Sequence, residues 1–209
     1  MPEPIHIALY YEDRAHELFI GALVQRFIDE MRVDARISVL GARGGHSKMM
    51  AEFEEYQNAI RGGQYALSAP DILLLARDAN CESYARACRS VEEKIDQQIF
   101  RHHVIACPDP HIERWFMADS QSFFSVVGSD PNPGRRKCVR NFYKKKLRSA
   151  VKRSGIPALL GGIEFAKDLA QNMDLFRAGR NEPSLRHFAQ ECKAVLRQLT
   201  MAGCHQGGR

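Results

Sequence analysis

Two short apolar runs in this chain each lead into an acidic residue, and their positions indicate where chemistry takes place. Ile5–Tyr11 is followed by Glu12, and Asp71–Ala76 is followed by Asp78. A buried parallel strand that ends in this way delivers the carboxylate to the carboxyl edge of its sheet. Two neighbouring edges would gather the oxygen donors that Mg²⁺ or Mn²⁺ prefers. The sequence therefore predicts a metal site with Glu12 and Asp78 as ligands and Asn80 as a secondary ligand.

A strongly basic segment provides the second signal. The chain has 30 basic and 25 acidic residues, yet no acidic residue occurs between Pro131 and Ile163. Ten lysines and arginines lie in this segment, so the remaining 20 leave the rest of the molecule mildly negative. We expect these side chains to bind nucleic-acid phosphates without reading base sequence, which favours metal-assisted phosphodiester chemistry. The predicted contacts are Arg135, Arg136, Lys137, Arg140, Lys144, Lys145, Lys146, Arg148 and Lys152, and Arg153 is the tenth. A solvated helix face, or a contact with an acidic protein, is the alternative.

The elements that position these residues alternate between strand and helix for about 120 residues. Apolar patterns predict strands over residues 5–11, 35–40, 71–76 and 103–106. Helices are expected over 14–31, 48–61 and 82–100 and from about 112, with Ser47 as the cap of the second helix. This alternation predicts an α/β fold with a mostly parallel sheet flanked by helices.

The pattern changes in the last third of the chain. Residues 128–134 are rich in turn formers. We expect an α/β domain over 1–127, a basic helical extension over 128–202 and a disordered tail over 203–209. The helices of the extension are predicted at about 137–153, 162–173 and 183–201, and an apolar stripe on the first of these should pack inward.

Composition limits the kind of protein further. A chain of 209 residues that is 44% apolar can bury one sizeable core. No run approaches the roughly 18 apolar residues of a membrane span, and the chain leads into a strand within a few residues. The six cysteines form no C-x-x-C pair. We therefore expect a cytoplasmic protein with reduced thiols and no membrane partner.

Residues 108–119 carry a third acidic signal, with the pattern P-x-P-x-I-E-x-W-x-x-A-D. This pattern resembles a signature of small bacterial Toprim-like proteins. The strand that ends at Glu12, and the D-x-D-like triplet 78–80 about 65 residues later, also resemble the Toprim fold of topoisomerases, primases and OLD-family nucleases. The resemblance covers residues 5–119 and extends loosely through the helical remainder.

This resemblance implies a Toprim-like fold and a metal-dependent nuclease or nuclease subunit. Glu12 would be the acid/base group, Asp78 and Asn80 would bind metal, and Glu113 would support catalysis. Such proteins are often encoded beside an ABC-type ATPase and are associated with anti-phage or mobile-element functions. The resemblance therefore implies an ABC- or AAA-type ATPase subunit as a partner, and an oligomer is compatible with it.

Asn80 is a departure from the family pattern, because it stands where the family has a second aspartate and adds no negative charge. Glu113, Asp119 or Asp109 would compensate if they faced the same crevice. One alternative is a catalytically impaired Toprim-like subunit that binds nucleic acid or regulates an ATPase complex. Another is a different doubly wound protein that acts on a nucleotide or a small phosphorylated ligand, with the basic helix as a protein contact.

Overall fold

The computed structural model describes residues 3–40, 44–63 and 69–206. Within these ranges the chain forms a parallel sheet with helices on both faces. The strands are β1 (Ile5–Tyr11), β2 (Ala35–Val39), β3 (Ile72–Ala76) and β4 (His103–Ala106). The helices are α1 (Arg14–Met31), α2 (His46–Arg61), α3 (Tyr84–Glu92), α4 (Ile112–Phe116), α5 (Ser120–Val127), α6 (Phe142–Arg153), α7 (Ala166–Asn172), α8 (Leu175–Asn181) and α9 (Pro183–Gln206), and a 3₁₀ turn spans Ile163–Phe165.

The order of the strands creates a crevice at one edge of the sheet. The order is β2-β1-β3-β4, and all three pairings are parallel. The chain moves outward on one side of β1 to form β2 and then on the other side to form β3. Helix α1 packs on one face, whereas α2 and α3 pack on the other. The point between β1 and β3 is thus a topological switch point, where ligands of open α/β sheets bind beyond the carboxyl ends of the strands.

Both faces of the sheet are covered, which explains why the central strand β3 is apolar throughout. All five residues of β3 are buried. Leu74 packs into the core that contains α1, and Leu73 and Leu75 pack into the smaller core that contains α2 and α3. The predicted α/β class with flanking helices is confirmed, and the four strands are parallel to one another.

The C-terminal helices share the larger core with the sheet. Buried side chains of α6 to α9 join those of α1 in one cluster. The Arg26 guanidinium of α1 donates to the carbonyl oxygens of Ala170 and Met173 at 3.2 and 2.8 Å, which ties α1 to the end of α7. The division between 1–127 and 128–202 stays a prediction, but side chains from both parts pack against each other.

Two helix boundaries in the first half differ from the expectation. Helix α2 begins at His46 with Gly45 at its N-cap, so Ser47 lies in the first turn and is not the cap. Helix α3 ends at Glu92, not near residue 100, and turns follow. Gln57 explains the early end: its amide donates to the carbonyl of Lys94 at 3.0 Å and accepts from the N–H of Asp96 at 2.7 Å. These bonds satisfy backbone groups that a longer helix would have paired.

The second half shows three further differences. The basic helix begins at Phe142, because Asn141 adopts a left-handed conformation and the segment before it is not helical. Helix α8 was not expected; Asp174 caps it by accepting from the N–H groups of Phe176 and Arg177. Helix α9 continues to Gln206, so residues 203–206, expected to be disordered, are helical. Residues 207–209 of the predicted tail lie outside the described residues.

In the described ranges, none of the helices has the length and apolarity needed to cross a bilayer. Location in the cytoplasm stays a prediction.

Candidate functional site

The switch point brings Glu12 and Asp78 together. Tyr11 pairs with Ala76 in the sheet, and the pairing continues past the strands, since the N–H of Glu12 donates to the carbonyl of Ala76 at 3.0 Å. The Glu12 carboxylate then accepts from the N–H of Asp78 at 3.1 Å. Burial raises the pKa of Glu12, and the negative charge of Asp78 raises it further. The predicted convergence of these two side chains is therefore present in the structure.

The Asp78 carboxylate accepts three hydrogen bonds at this edge. Its Oδ1 atom accepts from His16 Nε2 at 3.0 Å and from the N–H of Ile112 at 2.8 Å. Its Oδ2 atom lies 2.9 Å from Nδ1 of His111. Although burial opposes the charged form, the two histidines hold the pKa of Asp78 below its usual range. Asp78 thus joins β3 to α1 and also caps α4, whose own N-cap residue makes no side-chain cap.

His16 is the residue that the sequence analysis missed. Its side chain is fully buried in α1, and its second ring nitrogen, Nδ1, lies 2.8 Å from Oδ1 of Asp13. Burial alone would lower the pKa of His16, but the charge of Asp78 and the hydrogen bonds to both carboxylates raise it to about 10. His16 is accordingly a buried imidazolium. Its position three residues after the helix cap Asp13 was the available signal, because these two positions face each other in the first turn.

Glu113 lies in α4 and is the least satisfied group of the site. It is only 1% exposed, and neither of its carboxylate oxygens has a hydrogen-bond partner. The nearest cation is the Lys144 amine, 3.9 Å from Oε1 and outside hydrogen-bonding distance. Burial and the neighbouring Asp78 raise the pKa of Glu113 to about 7. A buried carboxyl group without partners is costly in its charged form, and a cation bound beside it would offset that cost.

These groups line a cleft with a volume of about 340 Å³. Glu12, Asp78 and Glu113 supply acidic walls, and Asn80 also lines the cleft. Its other side is basic and is formed in part by Lys137, Arg140 and Lys144. The cleft therefore presents negative and positive groups to one shared volume.

The basic segment divides between this cleft and other surfaces. Lys144 borders a second hollow as well, together with Lys145 and Arg148. Four predicted contacts line neither of these two volumes: Arg135, Arg136, Lys146 and Lys152. The predicted apolar stripe of the basic helix is present, since Tyr143, Leu147, Ala150 and Val151 are buried.

Asp109 and Asp119 do not compensate for Asn80. Asp109 accepts from the Lys137 amine at 2.6 Å. Asp119 binds the Arg177 guanidinium through two hydrogen bonds of 2.9 Å and is not among the residues that line the cleft. Both carboxylates therefore serve other contacts.

Carboxylate and amide oxygens are suitable ligands for a hard divalent cation, but the predicted ligands are not equally free to bind one. In the parts of the chain that the structure describes, no three His, Cys, Asp or Glu side chains are arranged so as to hold a metal ion. Both oxygens of Asp78 already accept hydrogen bonds, and the Asn80 amide donates to the Asp78 carbonyl at 3.3 Å. The unpartnered Glu113 is the donor best prepared for a cation. Ligation by Glu12, Asp78 and Asn80 stays a prediction.

The fold and the cleft define a class: an α/β protein with a doubly wound parallel sheet and an acidic site at its switch point. Comparisons of the chain with models of protein families, with curated proteins and with solved structures found no match. The chemistry of the cleft is therefore the basis for inferring a function.

Proposed function

We propose that this chain is a Toprim-like, metal-dependent nuclease or nuclease subunit that hydrolyses nucleic-acid phosphodiesters in the switch-point cleft. The observation that carries the proposal is Glu113, a buried carboxylate with no hydrogen-bond partner that lines the cleft. A divalent cation would supply the missing charge. A phosphodiester would in turn match the basic side of the same volume, formed in part by Lys137, Arg140 and Lys144.

The residues have separate roles in this proposal. Glu113 and Glu12 would hold Mg²⁺ or Mn²⁺, and Asp78 would be a further donor only if one of its three hydrogen bonds were released. The cation, when bound, polarises the phosphate or its attacking water. Glu12 would accept a proton at the site, since burial and the negative charge of Asp78 raise its pKa above the ordinary value of a glutamate. The lysines and the arginine hold the backbone of the nucleic acid, which sets the register of the strand but not its sequence.

The resemblance in residues 108–119 supports the wider setting of this proposal. We place the chain with an ABC- or AAA-type ATPase subunit, in an anti-phage or mobile-element system. These partners rest on the resemblance alone.

A second function is favoured by the saturation of Asp78. Its carboxylate accepts three hydrogen bonds, and Asn80 replaces the second acidic residue of the D-x-D-like triplet. A protein that keeps this network intact would bind nucleic acid, or regulate an ATPase, without cutting. The basic side of the cleft would serve that function equally well.

A cleavage assay with Mn²⁺ on plasmid, single-stranded DNA and RNA tests the nuclease. Glu113→Gln keeps the size of the side chain and removes its charge, and Glu55→Gln removes an exposed carboxylate of α2 as the matched control. We expect wild type and Glu55→Gln to cleave equally and Glu113→Gln to be slower by about 100-fold or more. Equal cleavage by all three proteins would contradict the proposal. Absence of cleavage by wild type, together with salt-sensitive binding of nucleic acid, would establish the second function instead.

A further inference from the structure

A second hollow lies directly beside the cleft and has a volume of about 310 Å³. The two volumes share three lining residues, Glu113, Asn141 and Lys144. They therefore adjoin each other at the beginning of α6. A chain-like ligand that fills the cleft can continue into the hollow without leaving the surface.

The two sides of this hollow differ in chemistry. Lys145 and Arg148 are exposed residues of α6 and contribute positive charge. The apolar contribution comes from Leu147, Leu160 and Ile163, and Leu160 is 55% exposed. An apolar side chain of this size in a basic hollow is not explained by packing, since more than half of it faces solvent.

The backbone holds the apolar wall in place. Gly162 has φ 103°, and a Cβ atom at this position would lie 2.6 Å from Cγ of Leu147. The N–H of Gly162 also donates to the Glu164 carboxylate at 2.8 Å. Only glycine allows the 160–163 segment to approach α6 this closely, so the wall is built against the helix.

We propose that this hollow is a nucleotide subsite for a single-stranded stretch of nucleic acid. The phosphate contacts Lys145 and Arg148, and the base packs against Leu160 and Ile163. The proposal rests on the proposed function, because it extends the same strand beyond the cleft. It names the substrate class that the cleft leaves open.

The apolar wall favours a single strand over a duplex. A duplex presents its phosphates to a protein and keeps its bases stacked and paired, so it would use only the two cations. An unpaired base exposes an apolar face that any base possesses, so contact with it gives affinity without sequence preference. Cations line both volumes: Lys137, Arg140 and Lys144 the cleft, and Lys144, Lys145 and Arg148 the hollow.

The test is binding of fluorescent oligonucleotides of equal length, measured by anisotropy in EDTA so that no cleavage occurs. The probes are single-stranded DNA, single-stranded RNA and duplex DNA. Leu160→Ser removes the apolar wall. Leu159→Ser is the matched control, because Leu159 is the preceding residue, is 86% exposed and does not line the hollow.

We expect Leu160→Ser to weaken single-strand binding by about fivefold and to leave duplex binding unchanged, with Leu159→Ser at the wild-type value for every probe. Arg148→Ala should lower the slope of log affinity against log salt by about one. The DNA and RNA probes show which sugar the subsite accepts. Equal effects of the two leucine variants, or an equal loss on duplex, would overturn the subsite.

The outcome separates this inference from the proposed function. A selective loss with Leu160→Ser, in a protein that does not cleave, supports the subsite and contradicts the nuclease. Cleavage that depends on Glu113, without any selective effect of Leu160→Ser, supports the nuclease and overturns the subsite.

Discussion

The Nε2 atom of His16 lies 3.0 Å from Oδ1 of Asp78, although the two residues are 62 positions apart in the chain. This bond joins the first turn of α1, which follows β1, to the residues that follow β3. It therefore links the ends of the two strands at the switch point. The imidazolium also offsets part of the negative charge that Glu12, Asp78 and Glu113 bring to the cleft. Without it, Asp78 would lose one of the two histidines that bond its carboxylate.

His16→Gln is expected to destabilise the protein by about 3 kcal/mol, because it removes the charged partner of a buried pair. The pKa of His16 is raised to about 10 in the folded protein from an ordinary value of 6.5. Its contribution is therefore complete below pH 6.5 and is lost as the pH rises through 10. Denaturant unfolding of both proteins between pH 6 and pH 10 should show the difference shrinking. His187→Gln is the control, since His187 is an exposed histidine of α9; an equal loss there would contradict the buried-pair explanation.

Glu113→Gln should stabilise the protein at pH 8 while it impairs cleavage. The pKa of Glu113 is raised to about 7 from 4.5, so the folded state favours the neutral form and wild type loses stability as the pH rises from 4.5 to 7. The shift corresponds to about 3 kcal/mol. Unfolding free energies at pH 4.5 and pH 8 measure it: the variant and wild type should agree at the lower pH and separate at the higher one.

Glu55→Gln provides the matching comparison for this experiment, and it should follow wild type at both values of pH. If Glu113→Gln is no more stable than wild type at pH 8, the Glu113 carboxylate has found a partner in solution. Glu113 would then need no cation to offset its charge.

His111→Ala is expected to tighten Mn²⁺ binding by about tenfold, because the His111 ring occupies Oδ2 of Asp78 at 2.9 Å and a hydrogen bond to a charged group contributes about 1.5 kcal/mol. Removing the ring frees this oxygen for the cation. Titration calorimetry at pH 7 measures the change, with His187→Ala as the control. Weaker binding in His111→Ala would show that His111 is itself a ligand or holds Asp78 in place.

Asp119→Asn should cost about 2 kcal/mol of stability at pH 7 without altering Mn²⁺ binding. Asp119 holds Arg177 in a two-bond pair and also accepts from the N–H of Asp174, which fixes the start of α8. Although burial opposes its charge, these bonds lower the pKa of Asp119 to about 2. Its contribution is present above an ordinary pKa of 3.8 and is lost as the pH falls through about 2. Thermal unfolding at pH 7 and pH 3 measures the loss of stability, and titration calorimetry measures Mn²⁺ affinity. A change in Mn²⁺ affinity would show that Asp119 contributes to metal binding in the cleft.

Much of the α/β region followed from local pattern. The limits of α1 were predicted because its apolar residues recur at helical spacing. In the structure Asp13 also caps this helix. The strands β1, β3 and β4 were recognisable as short apolar runs bounded by polar residues. By contrast, the end of α3 depends on Gln57, a side chain from another helix, and local pattern contains no sign of it.

The site was predictable only in part. Glu12 and Asp78 were found because each follows a strand, and the carboxyl ends of parallel strands share one edge. The pairing of Asp78 with His111 and with the N–H of Ile112 was not predictable, because it requires the turn after β4 to fold over β3. The same fold removed Asp109 and Asp119 from the list of candidate donors.

The sequence by itself determined the fold class and the carboxylates at the strand ends, because apolar periodicity and caps act over a few residues. Only the tertiary structure decided which charges are partnered. It placed His16 between two carboxylates and left Glu113 buried with no hydrogen bond. The physical reason is that desolvation and Coulomb energy depend on neighbours brought together from distant parts of the chain, and spacing along the sequence does not record them.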